Sequence, residues 1–221
     1  MPEPSGILFF FSGQAFMTQP LTLYNQTLYT RDELIADVAH ELDPAGLTTV
    51  LGAYEMAASV HELQTRSDST PYFWHISRVV KILVRELHCL SPDVLSAALL
   101  HDVLEDSTII TAEVIKFNFG SYVSYIVEVL TKNIRLTGPA RVRENAEYIE
   151  RLSYSSLDCK VVKFAERLDN FRCMEFGVKS NPFRYIDETE KQYFPMAAAE
   201  NNRMLDYLVA EMKKIKGKMV G

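Results

Sequence analysis

The chain has 221 residues and a mass of 25.2 kDa, with 48% apolar and 24% charged residues, proportions of a globular domain rather than a fibrous or disordered chain. Lys and Arg number 23 against 29 Asp and Glu, which gives a net charge of −6 and a pI near 5.4. That balance lacks the basic footprint of a duplex-binding protein and argues against DNA or RNA duplexes as partners.

The chain opens on an apolar run, Ile7 to Phe11. It falls far short of the roughly 20 residues a membrane span needs. No basic residue precedes it, so it does not read as a signal peptide either. Met17 follows closely, and residues 1–20 are read as an N-terminal extension, with one domain over 21–221. From Arg31 onward the pattern is helical. Asp43-Pro44 is an N-cap with proline at the first position, opening a helix that runs to Leu63 with apolar residues at three- and four-residue steps. Arg66 to Thr70 is polar, and Pro71 breaks the pattern. A second stripe, Ile76, Val79, Val80, Leu83 and Leu87, predicts a helix over 73–87.

Ser91-Pro92-Asp93 opens the next helix, which is read as continuing through His101-Asp102-Val103-Leu104-Glu105-Asp106. Thr111 caps another, ended by Phe119-Gly120. The β-branched run from Tyr122 to Thr131 suits a helix or an extended segment. Thr137-Gly138-Pro139 reads as a loop. Helices are expected over 141–152 and 158–174. Asn181-Pro182 breaks the chain, and a last helix over 189–216 is expected to bend at Pro195. The fold class is therefore all-α, a single domain of about eight to ten helices with short connections. The cysteines, Cys89, Cys159 and Cys173, show no Cys-x-x-Cys spacing, which points to free thiols in a reducing, cytoplasmic setting and excludes a cysteine zinc cluster.

The densest chemistry lies at His101 to Asp106. On one helix, His101 and Glu105 stand one turn apart, as do Asp102 and Asp106. Three carboxylates and an imidazole beside an apolar face ask for a cation, and a divalent metal is the simplest one. The plain alternative is a solvated helix end, although acids at a C-terminal end are unfavourably placed. His75 stands on an apolar helix face, where a packed core histidine is the commoner role. Glu166, Asp169 and Asn170 share one face of a later helix, and by themselves they read as a charged surface.

Taken in order, these segments resemble the HD metal-dependent phosphohydrolases, and more narrowly the hydrolase domain of the Rel/SpoT alarmone enzymes and the single-domain small alarmone hydrolases. His61-x-x-Gln64-x-Arg66 with Pro71-Tyr72-x-x-His75 resembles the first signature of that family. Ala97 to Asp106 is similar to the second, almost residue for residue. Phe119-Gly120, Leu130-Thr131-Lys132 and Tyr193-Phe194-Pro195-Met196-Ala197 fall where the family has related motifs, so the resemblance spans about Leu47 to Lys214.

The resemblance implies Mn²⁺ held by His75, His101, Asp102 and Glu166; imidazole and carboxylate ligands suit Fe²⁺ or Zn²⁺ as well. It implies that Glu105 and Asp106 orient water and handle protons, and that Arg66, Asn170 and Lys132 bind substrate. Arg135 and Lys163 are further candidates for phosphate. The implied reaction is release of the 3′-pyrophosphate of ppGpp or pppGpp, without a synthetase activity. Two departures stand out. Glu166 occupies the place of the family's Asp in Ala-Asp-Arg-Leu-His-Asn, and Asp169 that of its His, so either acid is a candidate fourth ligand. Ser67, Asp68 and Ser69 also differ from the family's base-binding stretch. The alternatives are an HD phosphohydrolase for another nucleotide, such as a 3′-pyrophosphorylated adenosine or NADPH, and a catalytically weak nucleotide-binding protein of antitoxin type with a toxin counterpart. The partner expected in every case is a small nucleotide, with no membrane.

Overall fold

The structure, a computed structural model, describes residues 23–220. The N-terminal run from Ile7 and the reading of residues 1–20 as an extension lie outside the described residues. The architecture is all-α: among the described residues the only β feature is an isolated bridge between Thr65 and Pro71.

Helix α1 (Arg31–Val38) starts with a capping box in which Thr30 and Glu33 satisfy each other's backbone N–H. Helix α2 (Pro44–Val60) starts as expected, with the Asp43 side chain accepting from the Gly46 N–H. Gly46 has a separate reason to be glycine: a Cβ there would lie 2.7 Å from Cγ of Pro92, the first residue of a later helix. Helix α3 (Tyr72–Lys81) runs on into a π turn over Ile82–Glu86.

Helix α4 (Pro92–Leu100), capped by Ser91, is the centre of the domain. Every residue from Val94 to Leu100 is buried, and α2, α3, helix α7 (Ser121–Leu130) and helix α9 (Leu157–Arg172) all pack on it. The expected single helix through Asp106 is in fact two. His101 and Asp102 form a turn, and the short helix α5 (Val103–Asp106) follows. The physical cause is local: His101 Nδ1 lies 2.7 Å from the Ala98 carbonyl and engages one of the last acceptors of α4. Asp102 then takes φ −104°, ψ −2°, at the edge of helical space.

Helix α6 (Ala112–Phe119) ends at Gly120, whose φ of +93° turns the chain into α7. The β-branched run is thus helical; its buried positions, Val123, Ile126, Val127 and Leu130, repeat at helical spacing. Gly138 and Pro139 do not form the expected loop. They open helix α8 (Gly138–Ser153), where a proline in the first turn loses no hydrogen bond. The last helix is also divided. Helix α10 (Pro182–Glu188), capped by Asn181, passes through a π turn over Thr189–Tyr193 into helix α11 (Phe194–Glu200). The π turn absorbs Pro195. The true break is Asn201, at φ +46°, before helix α12 (Arg203–Val220) packs back on α9.

Burial separates the positions that matter for stability. Leu95→Ala, fully buried in α4, should cost about 2–5 kcal/mol in urea unfolding. Leu63→Ala, 93% exposed, should move stability by less than about 0.5 kcal/mol.

Candidate active site

Four elements converge on one point. The turn after α4 delivers His101 and Asp102, α3 delivers Tyr72 and His75, α5 delivers Glu105 and Asp106, and α9 delivers Glu166, Asp169 and Asn170. One ligand atom from each of His75, His101 and Asp102 falls within 4.8 Å of the others. His101 Nδ1 is committed to Ala98, which leaves Nε2 as the free nitrogen. That atom is buried, has no hydrogen-bond partner and lies 3.3 Å from Asp102 Oδ2. A buried lone pair without a partner, facing a second imidazole and a carboxylate, is the donor set of a borderline divalent cation.

His75 is buried, and its Nδ1 lies 2.6 Å from Asp169 Oδ2. Burial and the neighbouring Arg66 push its pKa down to about 4, so the ring is neutral at physiological pH. Asp102 is held by the Tyr72 hydroxyl, which donates to its Oδ2 at 2.7 Å. Tyr72, part of the Pro71-Tyr72-x-x-His75 signature, thus has a polar task at the site. The rings of His61, Tyr72, His75 and His101 follow one another with centroids 5.1–5.8 Å apart.

The two acids of α9 part company. Asp169 is fully buried among Arg78, His75, Tyr24 and Arg66; burial opposes its charge, but the hydrogen bond from His75 and the Arg78 guanidinium hold it ionised well below the usual carboxylate range. Glu166 faces the His75–His101–Asp102 cluster from outside it. Burial opposes its charge, but Lys163 beside it and the two imidazoles hold the carboxyl well below its ordinary value. Arg78, a fully buried cation, was not singled out from the sequence; an arginine in the apolar stripe of α3 is the signal that was available.

Glu105 and Asp106 sit on α5, not on an extension of α4. Glu105 Oε1 accepts from the Lys132 backbone N–H at 2.6 Å. Burial and the nearby Asp102 charge push its pKa up to about 7. Asp106 is raised by the same two causes and lies 3.6 Å from Nδ1 of the buried His61.

The remaining candidates line a groove. Arg66 reaches Asn170, and Asn170 donates to Glu166 Oε1 at 2.7 Å. These three residues line a hollow of about 220 Å³ with Tyr72, His75, Val178 and Lys179. Next to it, sharing Glu166 and Lys179, lies a cleft of about 630 Å³ that gathers Lys132, Arg141, Lys163, Arg167, Lys179 and Arg184. Lys132 therefore stands with the basic cleft and not beside Arg66, and burial lowers its pKa to about 8. Arg135 lines a further cleft of about 950 Å³ on the far side of Lys132. The divergent loop residue Asp68 is taken up structurally: its carboxylate accepts from Thr70 and from Asn25 Nδ2 at 2.9 Å.

A family model described as HD domain matches residues 53–201, and the chain belongs to the HD domain family. That membership implies a divalent metal, and the donor set described above fits one. Among curated relatives, the guanosine-3′,5′-bis(diphosphate) 3′-pyrophosphohydrolase MESH1 of Homo sapiens is 32% identical over 176 residues, covering 76% of this chain and 94% of that protein. The Mus musculus protein of the same name is 34% identical over 151 residues, 67% of this chain and 80% of its own. A guanosine-3′,5′-bis(diphosphate) 3′-pyrophosphohydrolase of Vibrio cholerae is 34% identical over 77% of this chain, which spans 24% of that longer protein. A solved structure described as a metazoan ortholog of SpoT that hydrolyses ppGpp aligns with a TM-score of 0.65 at 27% identity, over 76% of this chain and 96% of that one.

The position of Glu105 beside Asp102 makes a direct test. In metal-free protein its carboxyl should titrate near pH 7 by ¹³C NMR. A divalent cation next to Asp102 should lower that value, because it cancels the negative field. Titration in the ordinary carboxylate range without metal would refute this picture of the site.

Proposed function

We propose that the protein, read as one domain over 21–221, hydrolyses the 3′-pyrophosphate of ppGpp and pppGpp to give GDP or GTP and pyrophosphate. The observation that carries this reading is the continuity of the groove. A cation-binding donor set, a carboxyl poised near neutrality, a nucleoside-sized hollow and a strongly basic cleft lie side by side. The relatives named as 3′-pyrophosphohydrolases add to it.

His75, His101, Asp102 and Glu166 would hold the metal, with Mn²⁺ the first choice and Fe²⁺ or Zn²⁺ compatible with the same ligands. When bound, such an ion supplies charge stabilisation at phosphoryl oxygens and a water of lowered pKa. Water attacks the phosphorus joined to the ribose 3′ oxygen, that P–O bond breaks, and the 3′ oxygen takes up a proton. Glu105, fixed by the Lys132 backbone N–H, accepts the proton from the water and returns it to the departing 3′ oxygen. Asp106, backed by His61, orients the water. Arg66 and Asn170, joined to each other, hold the nucleoside end. Lys132, Lys163, Lys179 and Arg184 meet the phosphates, so an acidic protein receives a polyanion through locally gathered cations. The three free cysteines accord with a cytoplasmic location.

The test is to strip the protein of metal and incubate it with ppGpp, with and without Mn²⁺, resolving products by anion exchange. GDP and pyrophosphate should appear only with metal. His101→Ala should abolish turnover, and Asp106→Ala should reduce it by about 10²–10⁴-fold. Tight metal binding with no product from ppGpp would sink the assignment and turn attention to adenosine nucleotides and NADPH.

A further inference from the structure

We propose that Asp169 is a positioning residue for His75, itself fixed by the buried Arg78, and that this unit sets the strength with which the site holds its metal. The inference rests on reading His75 as a metal ligand.

Asp169 is fully buried. Its Oδ1 accepts from Arg78 Nε at 2.7 Å and from the Tyr24 hydroxyl at 3.0 Å. Its Oδ2 accepts from His75 Nδ1 at 2.6 Å, from Arg78 at 3.2 Å and from Arg66 at 3.5 Å. A carboxylate has about four lone-pair directions, and these contacts use them. Asp169 therefore has no direction left for a metal, and the proton on His75 stays on Nδ1. The nitrogen left for coordination is Nε2.

The two histidines of the cluster are thus oriented differently. His101 gives its Nδ1 proton to the neutral Ala98 carbonyl. His75 gives its own to a carboxylate. An imidazole hydrogen-bonded to a carboxylate is the more basic donor, and such outer partners typically change metal affinity by 10–100-fold. Arg78 keeps Asp169 from turning inward: it holds both carboxylate oxygens and is itself anchored on the carbonyls of Asn25 and Thr27. The acid at the place of the family's histidine therefore works through His75 and is not a competitor of Glu166 for the ion.

Two variants and two readouts test this, neither using the nucleotide. Asp169→Leu with Arg78→Met removes the acceptor and its main counter-charge together, and Arg66 keeps Asn170 as its partner. Its fold is checked by circular dichroism. Asp169→Asn keeps an acceptor and drops the charge. Metal affinity is read by competition with a chelator for Mn²⁺, and the His75 tautomer by ¹⁵N NMR of the metal-free protein. The double variant should bind Mn²⁺ about 10–100-fold more weakly and lose the Nδ1–H tautomer. Asp169→Asn should keep the tautomer and lose a smaller part of the affinity. Wild-type affinity in both variants would overturn the proposal by itself. A wild-type protein that bound no divalent cation would overturn it together with the metal reading. A failure to cleave ppGpp would touch neither readout.

Discussion

An acidic protein that buries carboxylates must bring a cation to each of them, because an ion left unpaired in the interior is strongly destabilising. Most of this domain obeys that constraint with its own residues. Glu86 is met by Arg172, Glu200 by Lys160, Glu166 by Lys163 and Asp169 by Arg78. Three acids stand apart. Among the described residues, Asp102, Glu105 and Asp106 have no Lys or Arg salt bridge; Asp102 and Asp106 face the rings of His101 and His61, and Glu105 feels the more distant charge of Lys163. Burial and mutual repulsion raise two of the three. The charge the fold does not supply there is the charge an HD domain's divalent ion brings.

The backbone that creates this deficit is the break after Leu100. A helix carried straight through Asp106 would place His101 and Asp102 on different faces, about 100° apart. The turn held by His101 Nδ1 on Ala98 brings both side chains to the same point, and a new short helix sets Glu105 and Asp106 behind them. Because α4 is buried along its length and gripped by α2, α3, α7 and α9, the turn at its end is fixed by the core itself.

This accounts for what was legible in the sequence. Helix starts carried by a side-chain cap, at Asp43, Ser91 and Thr111, were readable because the cause is local. So was the order of the ligand-bearing segments, which the motifs preserve. The breaks at His101 and Asn201 were not readable: the first depends on a side chain turned back on its own helix, and the second on a left-handed residue inside a helical pattern. The roles of Tyr72 and Arg78 were hidden for another reason. Each looks like part of an aromatic or apolar stripe until a partner 30 or 91 residues away is known. Whether Glu166 or Asp169 faced the cluster was likewise undecidable from helix spacing, since both lie on the same side of α9.

The two substitutions on α9 are best understood together. Glu166 carries its carboxylate one methylene further than an aspartate would; its Oε1 accepts from Asn170, while its Oε2, ion-paired with Lys163, is buried without a hydrogen-bond partner. Lys163 in turn belongs to the basic cleft, where six cationic side chains outnumber Glu144, Glu166 and Glu188. The groove therefore has an acidic pole short of positive charge and, next to it, a basic pole short of negative charge, with Glu166 shared between them. A lone cation satisfies only the first and a lone polyanion only the second. A metal bound together with a nucleotide polyphosphate satisfies both, so the charge layout favours joint occupancy over either ligand alone.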